Sequence, residues 1–379
     1  DVRFGKAAYR TGASFFLLSK MLGAAARLYL VCLILQNYVF GSLGVPFEVT
    51  ASGTVFLIWL YTFRGGIKSL VWTDALQTLC LITALVLILY QLCRLNDFTV
   101  TEAIRHVTES PYGRWIEWDD WTSRQHFVKQ FFSGVFIVIV MTGLDQDMMQ
   151  KNLTCKNLRD AQKDMCSYGF SFIPLNMLFL GMGILLLALA SREGIALPVK
   201  GDDILPLFCA EGYLGNEVLV LFTIGIIAAA FSSADSALTA LTTSFCVDIL
   251  DVERRFARPE AVRKRVHGVI ALLFVGFILC FEAVNDSSVI DAIYVVASYT
   301  YGPLLGLFAF GMFTRRKPWP AAVPWICVTA PVCCYLLDVW TASVYGYRFG
   351  YELLMLNGLF TFVGLYAFSK AYSPGMDKR

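Results

Sequence analysis

The stretch AAFSSADSALTALTT, residues 229–243, lies inside a long apolar run of the sequence. A helix would place the residues at i, i+3, i+4 and i+7 on one face, namely Ser232, Asp235, Ser236 and Thr239. The small alanines between them would let neighbouring helices approach closely. A carboxylate among hydroxyls in an apolar helix predicts a cation site, because hard cations prefer oxygen ligands. Hydrogen bonding between helices through these side chains is the alternative interpretation.

The whole chain has the composition of a membrane protein. Of its 379 residues, 57% are hydrophobic and 16% are charged, against about 25% charged residues in soluble domains. Apolar runs near 20 residues recur along the chain, and each is too long for the alternating strands of a membrane barrel. We therefore predict an all-α polytopic membrane protein with about ten transmembrane helices. The predicted spans are residues 12–40, 46–63, 70–93, 127–143, 167–190, 213–249, 265–283, 289–313, 319–340 and 352–370.

The basic residues predict the orientation of these spans. With a cytoplasmic amino terminus, 21 of the 31 lysines and arginines fall in inside segments and eight fall outside. This distribution follows the positive-inside rule, so both ends of the chain are expected to be cytoplasmic. The longest outside loop, residues 94–126, carries Trp115, Trp118 and Trp121. It is expected to form an interfacial amphipathic helix, with a lid over the solute path as the alternative.

Composition and motifs exclude several classes of function. The net charge of +2 shows no large basic field that would bind nucleic acid. The sequence contains no serine-hydrolase, metalloprotease or nucleotide-binding signature, so neither an enzyme nor a bound cofactor is expected.

Asp74 follows a Gly65-Gly66 pair and stands near the start of an apolar run. A charged group close to membrane depth is costly, which favours a functional role for this carboxylate. A helix cap or an interfacial position is the alternative.

A second break occurs where span 127–143 ends, at Gly143-Leu144-Asp145-Gln146-Asp147. Short spans that meet a glycine and then polar residues are typical of discontinuous transporter helices. A helix that simply ends in the cytosol is the alternative.

Lys20 and Arg27 are seven residues apart, on nearly one face of the first span. Either they pair with buried acids such as Asp74 or Asp235, or they attract an anionic group of a solute.

Three of these stretches together resemble the signature segments of the sodium:solute symporter family. They are Gly65-Gly66-Ile67-Lys68 through Gln77, Gly143-Leu144-Asp145-Gln146 with Gln150-Lys151-Asn152-Leu153, and Ser232-Ser233-Ala234-Asp235-Ser236-Ala237-Leu238. They occur in the family's order, and the resemblance extends from Arg3 to about Arg316.

The resemblance implies the inverted five-plus-five repeat fold of sodium-coupled amino-acid carriers. In that fold the first span here is the third core helix, so the first two core helices have no counterpart. We therefore expect a truncated portion of a longer transporter. The chain is expected to form one transmembrane domain, 1–379, with core helices in 1–316 and two trailing helices in 317–379.

The resemblance also implies the residues of the site. The main sodium ion would be bound by Ser232, Ser233 and the carbonyl of Ala229. A second sodium site would use Asp74 with Ser232, Asp235 and Ser236. The candidate solute-contacting residues are Lys20, Gly143, Asp145, Gln146 and Tyr299. Residues 296–302, which include Tyr301, are further candidates for the pocket or a gate.

The implied function is a sodium-coupled symporter of the plasma membrane. Its expected partners are sodium ions, a small organic solute of sugar, sialic acid or amino-acid type, and the lipid bilayer. A transporter-like membrane sensor without net transport is the alternative.

Overall fold

The computed structural model describes residues 3–62, 67–114, 116–145, 148–149, 152–284 and 289–371. Most of these residues are helical. The α-helices are α1 (Gly5–Leu35), α2 (Phe47–Thr62), α3 (Ile67–Leu95), α4 (Val100–Glu109), α5 (Phe127–Val138), α6 (Leu158–Glu193), α7 (Ile204–Ala210), α8 (Asn216–Ser244), α9 (Val252–Arg255), α10 (Pro259–Val284), α11 (Val289–Thr300), α12 (Gly302–Phe313), α13 (Ala322–Tyr345) and α14 (Leu353–Ala367).

Among the described residues, six helices are long and apolar enough to cross a membrane. A seventh span results if α11 and α12, bent by 43° at their junction, count as one. Three further apolar helices are shorter, and they correspond to α2, to α5 with the turn that follows it, and to α14. Every predicted span thus falls on an apolar helix or on the bent pair. Length and composition support six or seven spans, and the count of ten stays a prediction.

Helix α1 packs at the centre of the bundle. Three consecutive alanines, Ala24, Ala25 and Ala26, are at most 2% exposed. They pack in one apolar core with residues of α2, α8 and α10. In a membrane, no hydrophobic driving force brings helices together, so their association depends on close van der Waals packing. Side chains as small as alanine allow this close approach.

The amphipathic helix α4 lies in the 94–126 loop, and its position at a membrane interface stays a prediction. It begins with a capping box in which the side chains of Thr99 and Glu102 each accept a hydrogen bond from the other's backbone. The tryptophans are not part of this helix. Trp118 and Trp121 pack against the buried ring of His126, with centroids 6.0 and 4.6 Å away, just before α5 begins. Trp115 lies outside the described residues.

Helices α1, α5 and α8 each continue into a π-helical turn, at Gln36–Phe40, Ile139–Gly143 and Phe245–Ile249. Such turns are rare and occur frequently at functional sites. The turn after α5 leads through Leu144 directly to Asp145, so the helix ends at the predicted break. Gly65, Gly66 and Gln146, which belong to the sequence motifs, lie outside the described residues.

A short antiparallel ribbon joins the two ends of the trailing region. Strand β1 (Arg316–Pro318) pairs with β2 (Ser369–Ala371), and Lys317 stands opposite Lys370. The purely helical prediction did not include this ribbon. The ribbon holds the residues before α13 against those after α14.

Candidate functional site

A cavity of about 190 Å³ lies between α1, the end of α5, α8 and the α11–α12 pair. Its charged and polar lining comes from residues distant in sequence, namely Ser19, Lys20, Arg27, Asp145, Ser232, Ser233, Ser236 and Tyr301. The structure therefore brings together the helix with the hydroxyl cluster, the basic face of α1 and the break after α5.

Lys20 and Asp145 form a buried ion pair at this cavity. The Lys20 Nζ lies 3.0 Å from Asp145 Oδ1 and 2.9 Å from Oδ2, and the two side chains are 7% and 6% exposed. The sequence predicted an acidic partner for Lys20 but named Asp74 or Asp235. The partner is different because the carboxylate at the end of α5 is the one placed against the Lys20 ammonium group.

Arg27 lines the same cavity, seven residues further along α1 than Lys20. This spacing corresponds to about 10 Å along the helix axis. Unlike Lys20, Arg27 is exposed, and it forms no ion pair with any described residue. A guanidinium in this position can accept a planar anion such as a carboxylate through two parallel hydrogen bonds.

Helices α3 and α8 meet through Asp74 and Ser232, where the Ser232 hydroxyl donates a hydrogen bond to the Asp74 carboxylate. Ser236, one turn further along α8, is 5% exposed. Its hydroxyl has no hydrogen-bond partner among the described residues. Leaving a buried hydroxyl unsatisfied costs about 1–3 kcal/mol. Hard cations prefer oxygen ligands, so the Ser236 hydroxyl is suited to contact one.

The other predicted sodium ligands lie close in sequence but differ in exposure. Ser233 lines the cavity and is exposed. Asp235 is 1% exposed and does not line the cavity. Ala229 is half-buried, one turn before the serines, and is also absent from the cavity wall.

Two predicted solute-contacting residues are placed away from the cavity. The ring of Tyr299 packs against Tyr335 of α13, with centroids 6.5 Å apart, whereas Tyr301, which is 3% exposed, lines the cavity. Residues two apart on a helix point to nearly opposite faces, so only one of the two tyrosines can face inward. Both tyrosines are candidates from the sequence, and Tyr301 lines the cavity together with Ala297, which is four residues earlier on the same helix face.

Gly143 is exposed and does not line the cavity. A Cβ atom at Gly143 would meet no atom within 4 Å, so packing does not require a glycine there. Its neighbours Met141 and Asp145 form this part of the wall instead.

Comparison with known proteins places this arrangement in one family. The model of the sodium:solute symporter family matches residues 17–322. The sodium/sialic acid symporter NanT of Aliivibrio fischeri is 25% identical over 321 residues, covering 80% of this chain and 61% of that protein. The sodium/sialic acid symporter SiaT of Proteus mirabilis is 26% identical over 283 residues, covering 71% and 56%. The human sodium/iodide cotransporter is 22% identical over 336 residues, covering 83% and 49%.

The fold is also similar to a solved structure. A Na⁺-coupled sialic acid symporter in a substrate-bound outward-open state superposes with a TM-score of 0.76 at 20% sequence identity, covering 98% of this chain and 77% of that chain. At this identity the likeness concerns the fold alone.

The chain spans about half to three fifths of the length of these curated relatives. The relatives are named as symporters or cotransporters, and no catalytic family is indicated. The apolar helices and these relatives together identify an integral membrane protein. Because the family model matches most of its length, the chain belongs to the sodium:solute symporter family.

Proposed function

We propose that the protein is a sodium-coupled symporter that imports a small organic solute across the plasma membrane by alternating access. The observation that best supports this is the shared cavity, where the hydroxyls of Ser232 and Ser233 stand in one wall with Lys20 and Arg27 in another. A cation held by the hydroxyls and an anion held by Arg27 would attract each other, because both would be bound in one cavity. Such mutual stabilisation is the physical basis of coupling.

Sodium, as the co-substrate, would occupy two sites. Ser232, Ser233 and the Ala229 carbonyl would contribute to the main site. Asp74 with Ser232, Asp235 and Ser236 would form the second. The bond between Ser232 and Asp74 supports the second site, and so does the Ser236 hydroxyl, which has no hydrogen-bond partner in the described structure. A cation there would be coordinated by the oxygens of both residues.

The solute we propose carries a carboxylate. Arg27 would bind this group, because Lys20 is already paired with Asp145. Lys20 and Asp145 would then contact the solute as a fixed, neutral pair, and Tyr301 takes the position that Tyr299 was expected to hold. Two relatives are named as sialic acid symporters, and sialic acids carry such a carboxylate.

The proposed architecture keeps the predicted ten spans in one domain, 1–379, with two trailing helices in 317–379 and both ends cytoplasmic. The proposed architecture also keeps the five-plus-five repeat that the family resemblance implies. Sodium binding at α3 and α8 would favour the outward-open state. Solute binding would then permit closure of α11–α12 over the cavity, followed by inward release.

The test is sodium-gradient-driven uptake into proteoliposomes, with labelled sialic acid, glucose, proline and glutamate as a panel. The Ser232→Ala/Ser233→Ala variant should lose uptake. The matched control is Ser171→Ala/Ser343→Ala, whose hydroxyls donate only to carbonyls of their own helices and which should transport normally. Uptake that does not depend on sodium would contradict the proposal.

A further inference from the structure

The junction of α11 and α12 lacks a backbone donor. Pro303 stands in the first turn of α12, and proline has no N–H group. The carbonyl of Tyr299, four residues earlier, therefore has no partner within the helix. The helix bends by 43° at this point.

A side chain of α14 supplies donors at this break. The Nδ2 of Asn357 donates to the Tyr299 carbonyl at 2.9 Å and to the Ser298 carbonyl at 3.0 Å. Asn357 is fully buried. Its Oδ1 accepts no hydrogen bond from the part of the chain that is described. The amide thus donates to two carbonyls at the break, and for the Tyr299 carbonyl it replaces the N–H that Pro303 lacks.

Helix α14 approaches the first turns of α12 very closely. A Cβ atom on Gly302 would lie 2.2 Å from the Asn357 Cγ. A Cβ atom on Gly306 would lie 2.4 Å from the Thr361 Cβ. The Gly302-x-x-x-Gly306 spacing lets the two helices pack at this distance, as small residues do in membranes.

The bend lies at the wall of the cavity. Ala297 and Tyr301 line it from the end of α11 and the junction itself. Both belong to a buried cluster that also includes Leu354 of α14. The Tyr301 N–H donates to the Ala297 carbonyl of α11 at 2.8 Å, and the Tyr301 carbonyl accepts from the Leu305 N–H of α12 at 2.9 Å. Tyr301 therefore joins the two segments, and a change in the angle between them would move it.

We propose that Asn357 is a positioning residue for transport. It replaces the donor that Pro303 lacks and so holds the bend that presents Tyr301 to the solute. This inference rests on the proposed function, and it gives the trailing helix α14 a role in the site.

The experiment compares Asn357→Leu, Pro303→Ala and the double variant in the reconstituted protein. Asn176→Leu is the matched control, because the Asn176 amide donates to a carbonyl of its own helix, on an exposed face of α6. Thermal unfolding in detergent and the KM and maximal rate of sodium-driven uptake are measured for each variant.

We expect Asn357→Leu to lower the unfolding temperature and to raise the solute KM about tenfold, because two buried carbonyls lose their donors and Tyr301 moves. In the double variant, the backbone N–H that Pro303→Ala introduces can bond to the Tyr299 carbonyl in a straightened helix. Its unfolding temperature should therefore recover while the KM stays high. A purely structural role would lower the maximal rate with the amount of folded protein and leave the KM unchanged.

Recovery of the KM in the double variant, or an unchanged KM in Asn357→Leu, would overturn the positioning role. A double variant as unstable as Asn357→Leu would overturn the replacement of the donor. If the unsubstituted protein shows no sodium-driven uptake, the proposed function itself fails, and the positioning role fails with it.

Discussion

The ammonium group of Lys20 lies between the two carboxylate oxygens of Asp145, 3.0 and 2.9 Å away. The two residues are 125 positions apart in sequence, and their side chains are 7% and 6% exposed. The pair joins α1 to the end of α5 at the wall of the cavity. Each charge compensates the other in a buried position, and the following prediction depends on this.

Lys20→Met should destabilise the protein by about 3–5 kcal/mol, because it leaves the Asp145 carboxylate buried without its counter-ion. The double variant Lys20→Met/Asp145→Asn should be more stable than Lys20→Met alone. Unfolding in detergent measures both. Arg105→Met, which removes the exposed pair with Glu109, is the control and should have little effect. Additive losses in the double variant would show that the pair is not coupled.

Asp74→Asn should reduce the Hill coefficient for sodium from near two to near one. The substitution removes the negative charge that Ser232 contacts, and a neutral amide oxygen is a weaker ligand for a hard cation. Sodium titration of the initial uptake rate gives the coefficient. Asp97→Asn is the control, because Asp97 is an exposed acid paired with Arg192. A coefficient that remains near two would rule out Asp74 as a ligand of the second ion.

Arg27→Gln should raise the KM for an acidic solute about ten- to a hundredfold, since a hydrogen bond between charged groups contributes about 1.5–3 kcal/mol. The sodium dependence should change little. Uptake over a range of solute concentrations measures the effect, with Arg94→Gln, at the exposed end of α3, as the control. An equal loss for acidic and neutral solutes would exclude recognition of a carboxylate by Arg27.

Gly306→Ala should destabilise the protein, because its Cβ atom would lie 2.4 Å from the Thr361 Cβ and 2.7 Å from the Gly358 carbonyl oxygen. The expected loss is about 1–3 kcal/mol, which is typical of overpacking. Gly276→Ala is the control, because a Cβ there meets no atom within 4 Å. It should be neutral or slightly stabilising, since alanine favours helix. Equal stability of the two variants would mean that α12 and α14 can separate at little cost.

The sequence by itself determined the membrane class, the positions of the apolar helices and the residues that a single helix must present together. Ser232 and Ser236 share the cavity wall because they are four residues apart on α8, and this relationship is independent of what packs around them. The sequence also indicated that a lysine in an apolar helix needs a counter-charge, since an unpaired buried charge is too costly.

Only the tertiary structure decided which partners meet. Asp145, rather than Asp74 or Asp235, pairs with Lys20 because the choice depends on which helix end faces α1. Tyr301, rather than Tyr299, faces the cavity because the rotation of α11 is set by its neighbours and not by its own periodicity. The amide of Asn357 bonds to a carbonyl 58 residues away. Local sequence fixes which side chains share a face of a helix, but the pairing between helices depends on how the whole bundle packs.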